Sequence, residues 1–281
     1  MRKRILYGNN TVIFDHTVSL NNYFSGNFTS TFIAAEDYIY IGSRLPFNHF
    51  YLNMGTTVNA ESADLTVSYW SDSEWLDAVE VIDETATGGA TLAQSGFISF
   101  TPDKDNNWTR ENTNYGGESI TGLTDVEIYD LYWMRLSVDA DLTADMVISW
   151  LGQKFSDDND LGSEHAEVTR SNFIAAFEDG KTSYEEQAIK AAEIVENDLI
   201  SRKMITHNEQ ILDRYDLRLA SVSKVAELIY NDLGDDYVDK YDNAKREYQS
   251  RIGKSVVKVD RNSNALLDKQ EDRVMKGFLY R

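Results

Sequence analysis

Asp260, Asn262, Asn264, Asp268 and Glu271 stand at positions 1, 3, 5, 9 and 12 of one twelve-residue run, with the apolar Leu267 at position 8. Oxygen-bearing side chains at this spacing are what a loop needs to wrap a hard cation such as calcium. Position 6 is Ala265, where such loops carry glycine to turn with positive φ. Any other residue there costs about 1 kcal/mol of backbone strain. Asn262 and Asn264 also supply neutral ligands where Asp would bind more tightly. The same side chains can instead hydrogen-bond nearby backbone amides in an Asx-turn network. The metal-free reading is the expected one, so no cofactor is required.

Three carboxylate pairs sit close in sequence: Asp103 with Asp105, Glu127 with Asp130, and Asp139 with Asp141. Paired carboxylates can divide acid and base roles in hydrolysis. In a chain with 47 acidic residues, however, such neighbours arise by composition. The four histidines, His16, His49, His165 and His207, are never three or four apart, and there is no cysteine. Thiolate nucleophiles, disulfides and cysteine-based zinc sites are therefore excluded, and the chain is not expected to be an enzyme. Five tryptophans offer another chemistry, stacking against sugars. Trp70, Trp133 and Trp150 lie inside apolar strands and are expected to be buried. Trp75 and Trp108 have polar neighbours and are the candidates for an exposed glycan or partner surface.

The charge narrows the partners. With 27 basic against 47 acidic residues the net charge is −20, and the pI is about 4.5. Binding to nucleic acid through phosphates, or to an anionic membrane surface, needs the opposite balance. Met1-Arg-Lys-Arg-Ile-Leu-Tyr7 has a signal peptide's basic start but runs into Gly8-Asn9-Asn10 rather than an apolar stretch. No secretory signal is expected, nor a membrane span, since no run of about 18 apolar residues occurs.

The elements that must position these residues change character near residue 160. All five tryptophans and both prolines precede it. Residues 1–160 carry 8 basic and 24 acidic side chains, whereas 161–281 carry 19 and 23. Alternating patterns bounded by turn residues predict strands at 37–41, 50–52, 65–70, 78–82, 96–100, 131–138 and 146–150. Short strands joined by Gly, Asn and Asp loops suggest an antiparallel sandwich. After it, Ser183 with Glu186 marks a capping-box helix start, with Tyr184, Ala188, Ala191, Val195 and Leu199 on one face. A second helix from Asp213 to Gly234 aligns Tyr215, Leu219, Val222, Ala226 and Ile229. A third aligns Tyr237, Tyr241, Ala244 and Tyr248 and ends near Gly253, and a short one covers 172–178. The fold class is α+β multidomain: a β-sandwich over 1–156, a linker at 157–163 and an α-helical bundle over 164–281.

The run Ile211–Tyr230, followed by the Tyr-rich 236–248 and the Asp/Asn turn at 260–264, resembles the helical head–tail connector (adaptor) proteins of tailed bacteriophages. The resemblance covers roughly 171–281 and rests on the order of features rather than on an invariant motif. Phe97–Pro102, Trp108 and Leu131–Val138 are similar to β-sandwich modules of phage virion proteins. The resemblance implies a virion neck protein assembled in the host cytoplasm. It implies a ring, typically a dodecamer, beneath the portal protein, with a tail or stopper protein on its other side and DNA passing through without specific binding. It further implies that the C-terminal tail docks on the portal. Val274, Met275, Phe278, Leu279, Tyr280 and Arg281 fit that role, because so apolar a segment needs a cover. An edge strand within its own domain is the competing use of the tail. A glycan-binding or fibre-attachment sandwich anchored by the helical half is the alternative function.

Overall fold

The computed structural model describes residues 3–9, 12–24, 26–71, 74–103, 108–111 and 131–267. The chain forms two compact units. One comprises Met1–Gly152 with Asp260–Leu266, and the other is built on Gln153–Val259.

The first unit is an antiparallel β-sandwich. Its larger sheet contains β1 (Arg4–Gly8), β2 (Ile13–Asp15), β4 (Tyr38–Ser43), β6 (Leu65–Ser71), β7 (Glu74–Asp77), β10 (Arg110–Glu111) and β11 (Leu131–Val138). They run in the order β2-β1-β4-β11-β6-β7, with β10 pairing β11. The smaller sheet follows the order β3-β12-β5-β9-β8. It is made of β3 (Phe28–Ser30), β5 (His49–Met54), β8 (Val79–Asp83), β9 (Gly96–Thr101) and β12 (Met146–Gly152). A single helical turn, α1 (Thr17–Leu20), sits between β2 and β3 in sequence. All seven expected strands are present. β1, β2, β3, β7 and β10 are additional, and each is five residues or fewer. At that length period-two alternation is hard to distinguish from chance.

Alternation sorts the larger sheet into two faces. Ile5, Ile39, Ile41, Val67, Tyr69, Met134 and Leu136 point into the sandwich. There they meet Phe50, Leu52, Ile98, Phe100, Met146 and Ile148 of the smaller sheet. Burying a large apolar side chain in such a core contributes roughly 1.5–3 kcal/mol. Trp108 belongs to this core: it is buried, its ring lies 5.4 Å from Phe47, and its indole N–H donates to the Trp133 carbonyl at 3.0 Å. The expectation that Trp108 is an exposed binding residue is therefore corrected. Its polar sequence neighbours concealed a side chain turned inward.

Asn59 gathers three loops of the sandwich. Its Nδ2 donates to the carbonyls of Glu61 (2.8 Å) and Thr91 (2.9 Å), while its Oδ1 accepts from the amides of Glu61 and Thr143, both at 3.0 Å. With the side chain buried, Asn59→Ala leaves several of these backbone groups without partners, at about 1–3 kcal/mol in total. Urea unfolding is expected to show a lower midpoint with an unchanged slope. A midpoint equal to wild type would show that water replaces the amide.

The second unit is helical: α2 (Asp158–Glu164), α3 (Ser171–Phe177), α4 (Glu185–Ser201), α5 (Arg218–Leu233) and α6 (Val238–Lys254). The expected linker is instead part of α2. Asp157 caps the Asp160 amide at 2.8 Å, and the Asp160 carboxylate accepts the Asp157 amide at 3.2 Å. A polar Asp-rich run thus starts a helix, because its carboxylates satisfy the first-turn N–H groups. The start of α4 also differs from expectation. Tyr184 is its N-cap, and the Tyr184 amide is held by the Asp158 carboxylate at 3.1 Å. Ser183 accepts only a long bond of 3.4 Å from Glu185.

The α4 stripe is buried throughout. On α5, which ends at Gly234 with φ 83°, the stripe holds for Val222, Ala226 and Ile229. Tyr215 and Leu219, expected on it, are exposed, and Leu217 and Ala220 are buried in their place. A 3₁₀ turn at Arg214–Leu217, capped by Asp213 at 3.0 Å, shifts the phase before the α-helix begins. Ala244 and Tyr248 of α6 are buried; Tyr237 and Tyr241 pack against the core that holds Ala244, while Tyr248 belongs to a second core with Val195, Leu199 and Leu217.

Glu167 ties α5 to α6 from the loop after α2. Its Oε1 accepts from Lys240 at 2.6 Å and from the Tyr230 hydroxyl at 2.7 Å. These bonds, the Lys240 bond foremost, hold the carboxyl below its ordinary value. A depressed folded value contributes stability above the unfolded carboxyl range, about 4.3, and loses it as pH falls through the folded value. Glu167→Gln is expected to lower stability at pH 7 by no more than about 1 kcal/mol, since the group is partly exposed. The gap to wild type should narrow as pH falls below the unfolded carboxyl range and through the depressed folded value. A gap that persists at pH 3 would contradict the pairing.

Candidate functional site

The outward face of the larger sheet carries an unusual layer of aromatic side chains. Strand alternation brings Leu6, Tyr38, Tyr40, Trp70, Leu131, Trp133 and Arg135 to this side, and β7 adds Trp75. The register sets Arg135 opposite Tyr40 on β4 and opposite Ser68 on β6, while Trp70 faces Trp75 across the β6–β7 pair. Trp133 lies opposite Gly42. A Cβ at Gly42 would stand 2.8 Å from the Trp133 ring and 2.9 Å from Leu131, so the glycine makes room for the indole.

Trp133 and Trp70 form the floor of this layer, at 0% and 5% exposure, and Tyr40 is buried with them. Trp75, Tyr38 and Arg135 are half-buried. The Arg135 guanidinium lies 4.8 Å from the ring centroids of both Tyr38 and Trp75, within cation–π range. Trp75 meets Trp70 edge-on at 5.4 Å and Tyr40 at 5.8 Å. Burial lowers the Arg135 pKa, opposed by Tyr38, Tyr40 and Asp77. Asp77 accepts the Ser68 hydroxyl at 2.8 Å.

Four donors in this layer lack an acceptor among the described residues. The indole N–H groups of Trp70, Trp75 and Trp133 and the Nε of Arg135 are all buried without a hydrogen-bond partner. An unmet buried donor costs about 1–3 kcal/mol, so four together in one patch are unusual for a face that serves only as packing. Of the two tryptophans nominated from sequence, Trp75 belongs to this site and Trp108 does not. Trp70, Trp133 and Arg135 were missed as site residues because apolar alternation shows that a strand has two faces, not which one meets the opposing sheet.

The 260–264 turn has an Asx architecture. Asp260 is buried, and its Oδ1 accepts the Ser263 amide at 2.7 Å while its Oδ2 accepts the Ala265 amide at 2.8 Å. The Asn264 Oδ1 accepts the Leu266 amide at 2.8 Å. Ser263 and Ala265 adopt φ of 61° and 57°. Ala265 thus makes the positive-φ turn without glycine, and its burial in the sandwich core offsets the strain. Asn262 lies in the same turn; Asp268 and Glu271, which complete the calcium spacing, lie outside the described residues. The tail residues Val274, Met275, Phe278, Leu279, Tyr280 and Arg281 lie outside them too.

The carboxylate pairs do not assemble an acid–base site among the described residues. Asp139 accepts the Asp64 amide at 2.7 Å and Asp141 the Ala34 amide at 2.8 Å, so both brace loops. Asp105, Glu127 and Asp130 lie outside the described residues. No helix among the described residues is long and apolar enough to cross a membrane.

No protein-family model matches the chain, and no curated protein sequence matches it. Among solved structures it is similar to chitosan-binding module 1 derived from a chitosanase/glucanase of Paenibacillus sp. IK-5. That similarity spans 54% of this chain and 94% of the module, at 11% identity and a TM-score of 0.31. A TM-score that low assigns neither fold nor ligand.

Proposed function

We propose that the chain is a non-catalytic structural protein of a tailed-phage neck, joining head to tail beneath the portal. The observation that carries this reading is the order of elements in its second half. The buried helix α5 is followed by the tyrosine-bearing α6 and then by the Asx turn at Asp260, in the sequence order of the connector resemblance. The net charge of −20 supports it further, because an acidic conduit repels phosphates and lets DNA slide. The carboxylates of Asp139 and Asp141, engaged in bracing loops, fit a scaffold rather than a hydrolase.

Docking on the portal falls to residues 274–281. A groove that accepts this apolar segment gains its buried area and backbone hydrogen bonds, and a ring multiplies the gain through avidity. Deleting 274–281 is expected to abolish pull-down with portal protein while leaving the circular dichroism of the chain unchanged. Normal portal capture by the truncated chain would refute the docking role.

A further inference from the structure

We propose that copies of this chain join head to tail through their sandwiches, the β2/β3 flank of one against the β7/β8 flank of the next. This deepens the neck reading and rests on it only for the closing of a row of copies into a ring. The placement of exposed apolar side chains carries the inference. Among the described residues of the sandwich unit, the large exposed ones are Val12, Phe14, Val18, Phe24 and Ile33, then Val79 and Ile82. Single apolar residues scattered over a surface are ordinary. These are gathered on two opposite flanks, and none lies on an inner strand of either sheet.

The first flank is built by β2 and β3, terminal strands of the two sheets, with α1 beside them. Thr17 of α1 accepts the Ile5 amide at 3.0 Å, and Tyr23 meets Trp150 of β12 edge-on at 6.2 Å. Val18 and Phe24 are left facing water, at 72% and 79% exposure. The second flank is built by β7 and β8, terminal strands joined through Ala78. Ile82 is 60% exposed there. Glu80, with φ of 50°, breaks the β8 register and blunts this edge, so the contact uses side chains rather than a shared ladder.

Charge makes a second copy the fitting occupant. Arg2, Lys3 and Arg4 against Asp15 give residues 1–35 a net charge of +2, which leaves −22 on the rest of the chain. Glu74, Asp77, Glu80, Asp83 and Glu84 crowd the second flank, and no Lys or Arg occurs between residues 45 and 103. Two acidic flanks repel each other, whereas the acidic flank meets the first one with only Asp15 of its own sign. Because unlike flanks match, the contact is heterologous, and each copy keeps a free flank that extends the row.

Sedimentation velocity of the full chain, without portal, tests the contact. Wild type is expected to form assemblies larger than a dimer as its concentration rises to about 100 µM. Phe24→Asp on the first flank and Ile82→Asp on the second alter exposed side chains and should keep the wild-type melting temperature. Val18→Asp and Val79→Asp are the second choices on the same flanks if either variant melts early. Each variant alone should weaken assembly about tenfold or more. Mixed in equal amounts, the two should pair through their intact flanks and stop at a heterodimer. A like-on-like contact would instead leave one variant assembling as wild type, with no gain on mixing. That pattern overturns the proposal, as does a wild-type chain that stops at monomer or dimer up to about 100 µM, or variants that both assemble normally. Rings formed on the portal by a chain monomeric in solution would sink this contact and leave the neck reading standing. Assembly in solution beside bare portal rings would do the reverse.

Discussion

Ala226→Asp should unfold the helical unit while leaving the sandwich intact. Ala226 has no exposed surface and packs among Tyr184, Ala188, Val222, Ile229 and Ala244. A carboxylate placed there has no partner, and burying it unpaired costs several kcal/mol, comparable to the whole stability of a small domain. The composition of the chain makes the outcome easy to resolve. All five tryptophans lie in the sandwich unit and none in the helical one, so emission reports on the first unit and far-ultraviolet circular dichroism mainly on the second. The expected result is loss of most helical signal with near-native tryptophan emission. A variant with full helicity and unchanged melting would show that the α5 core is misplaced.

Glu185→Ala is expected to cost about 3 kcal/mol, which is large for one side chain near a helix terminus. Glu185 meets the Lys154 ammonium at 2.7 Å, and the Lys154 side chain is 1% exposed. Breaking such a pair removes the carboxylate that meets a buried ammonium, whereas replacing both members by apolar residues is often neutral. The double variant Lys154→Met with Glu185→Leu should therefore recover most of the loss. Nearby Asp158 has its pKa raised, first by burial and then by Glu185, so the charge balance here is coupled. Urea unfolding of the single and double variants measures the effect. A single-variant loss below about 0.5 kcal/mol would place the pair in solvent, where such bridges contribute little.

The sequence conveyed architecture better than it conveyed direction. Long alternating runs such as Leu131–Val138 and long helical stripes such as Tyr184–Leu199 were legible because their periods repeat several times. The Asp-rich run at 157–163 misled because capping side chains and linker side chains are the same residues. Only the position of Asp157 and Asp160, each bonded to the other's amide, distinguishes them. Trp108 misled for a related reason. Its exposure depends on packing against Phe47 and Tyr69, which are distant in sequence. The candidate site was only partly legible. Trp75 was visible as a tryptophan in polar company, but nothing in the local pattern marked Arg135 within its strand. Its place between Tyr38 and Trp75 follows from register across β4, β11 and β6, which no local pattern encodes. The turn at Asp260 was readable as two alternatives, and the bonds from Asp260 to the Ser263 and Ala265 amides give the Asx geometry its form.

Electron microscopy of the full chain mixed with portal rings tests the neck assignment most directly. The account predicts a closed ring of added density seated on one face of the portal, of matching symmetry, with an axial channel left open. Portal rings that remain bare while the chain stays monomeric at every concentration would contradict it.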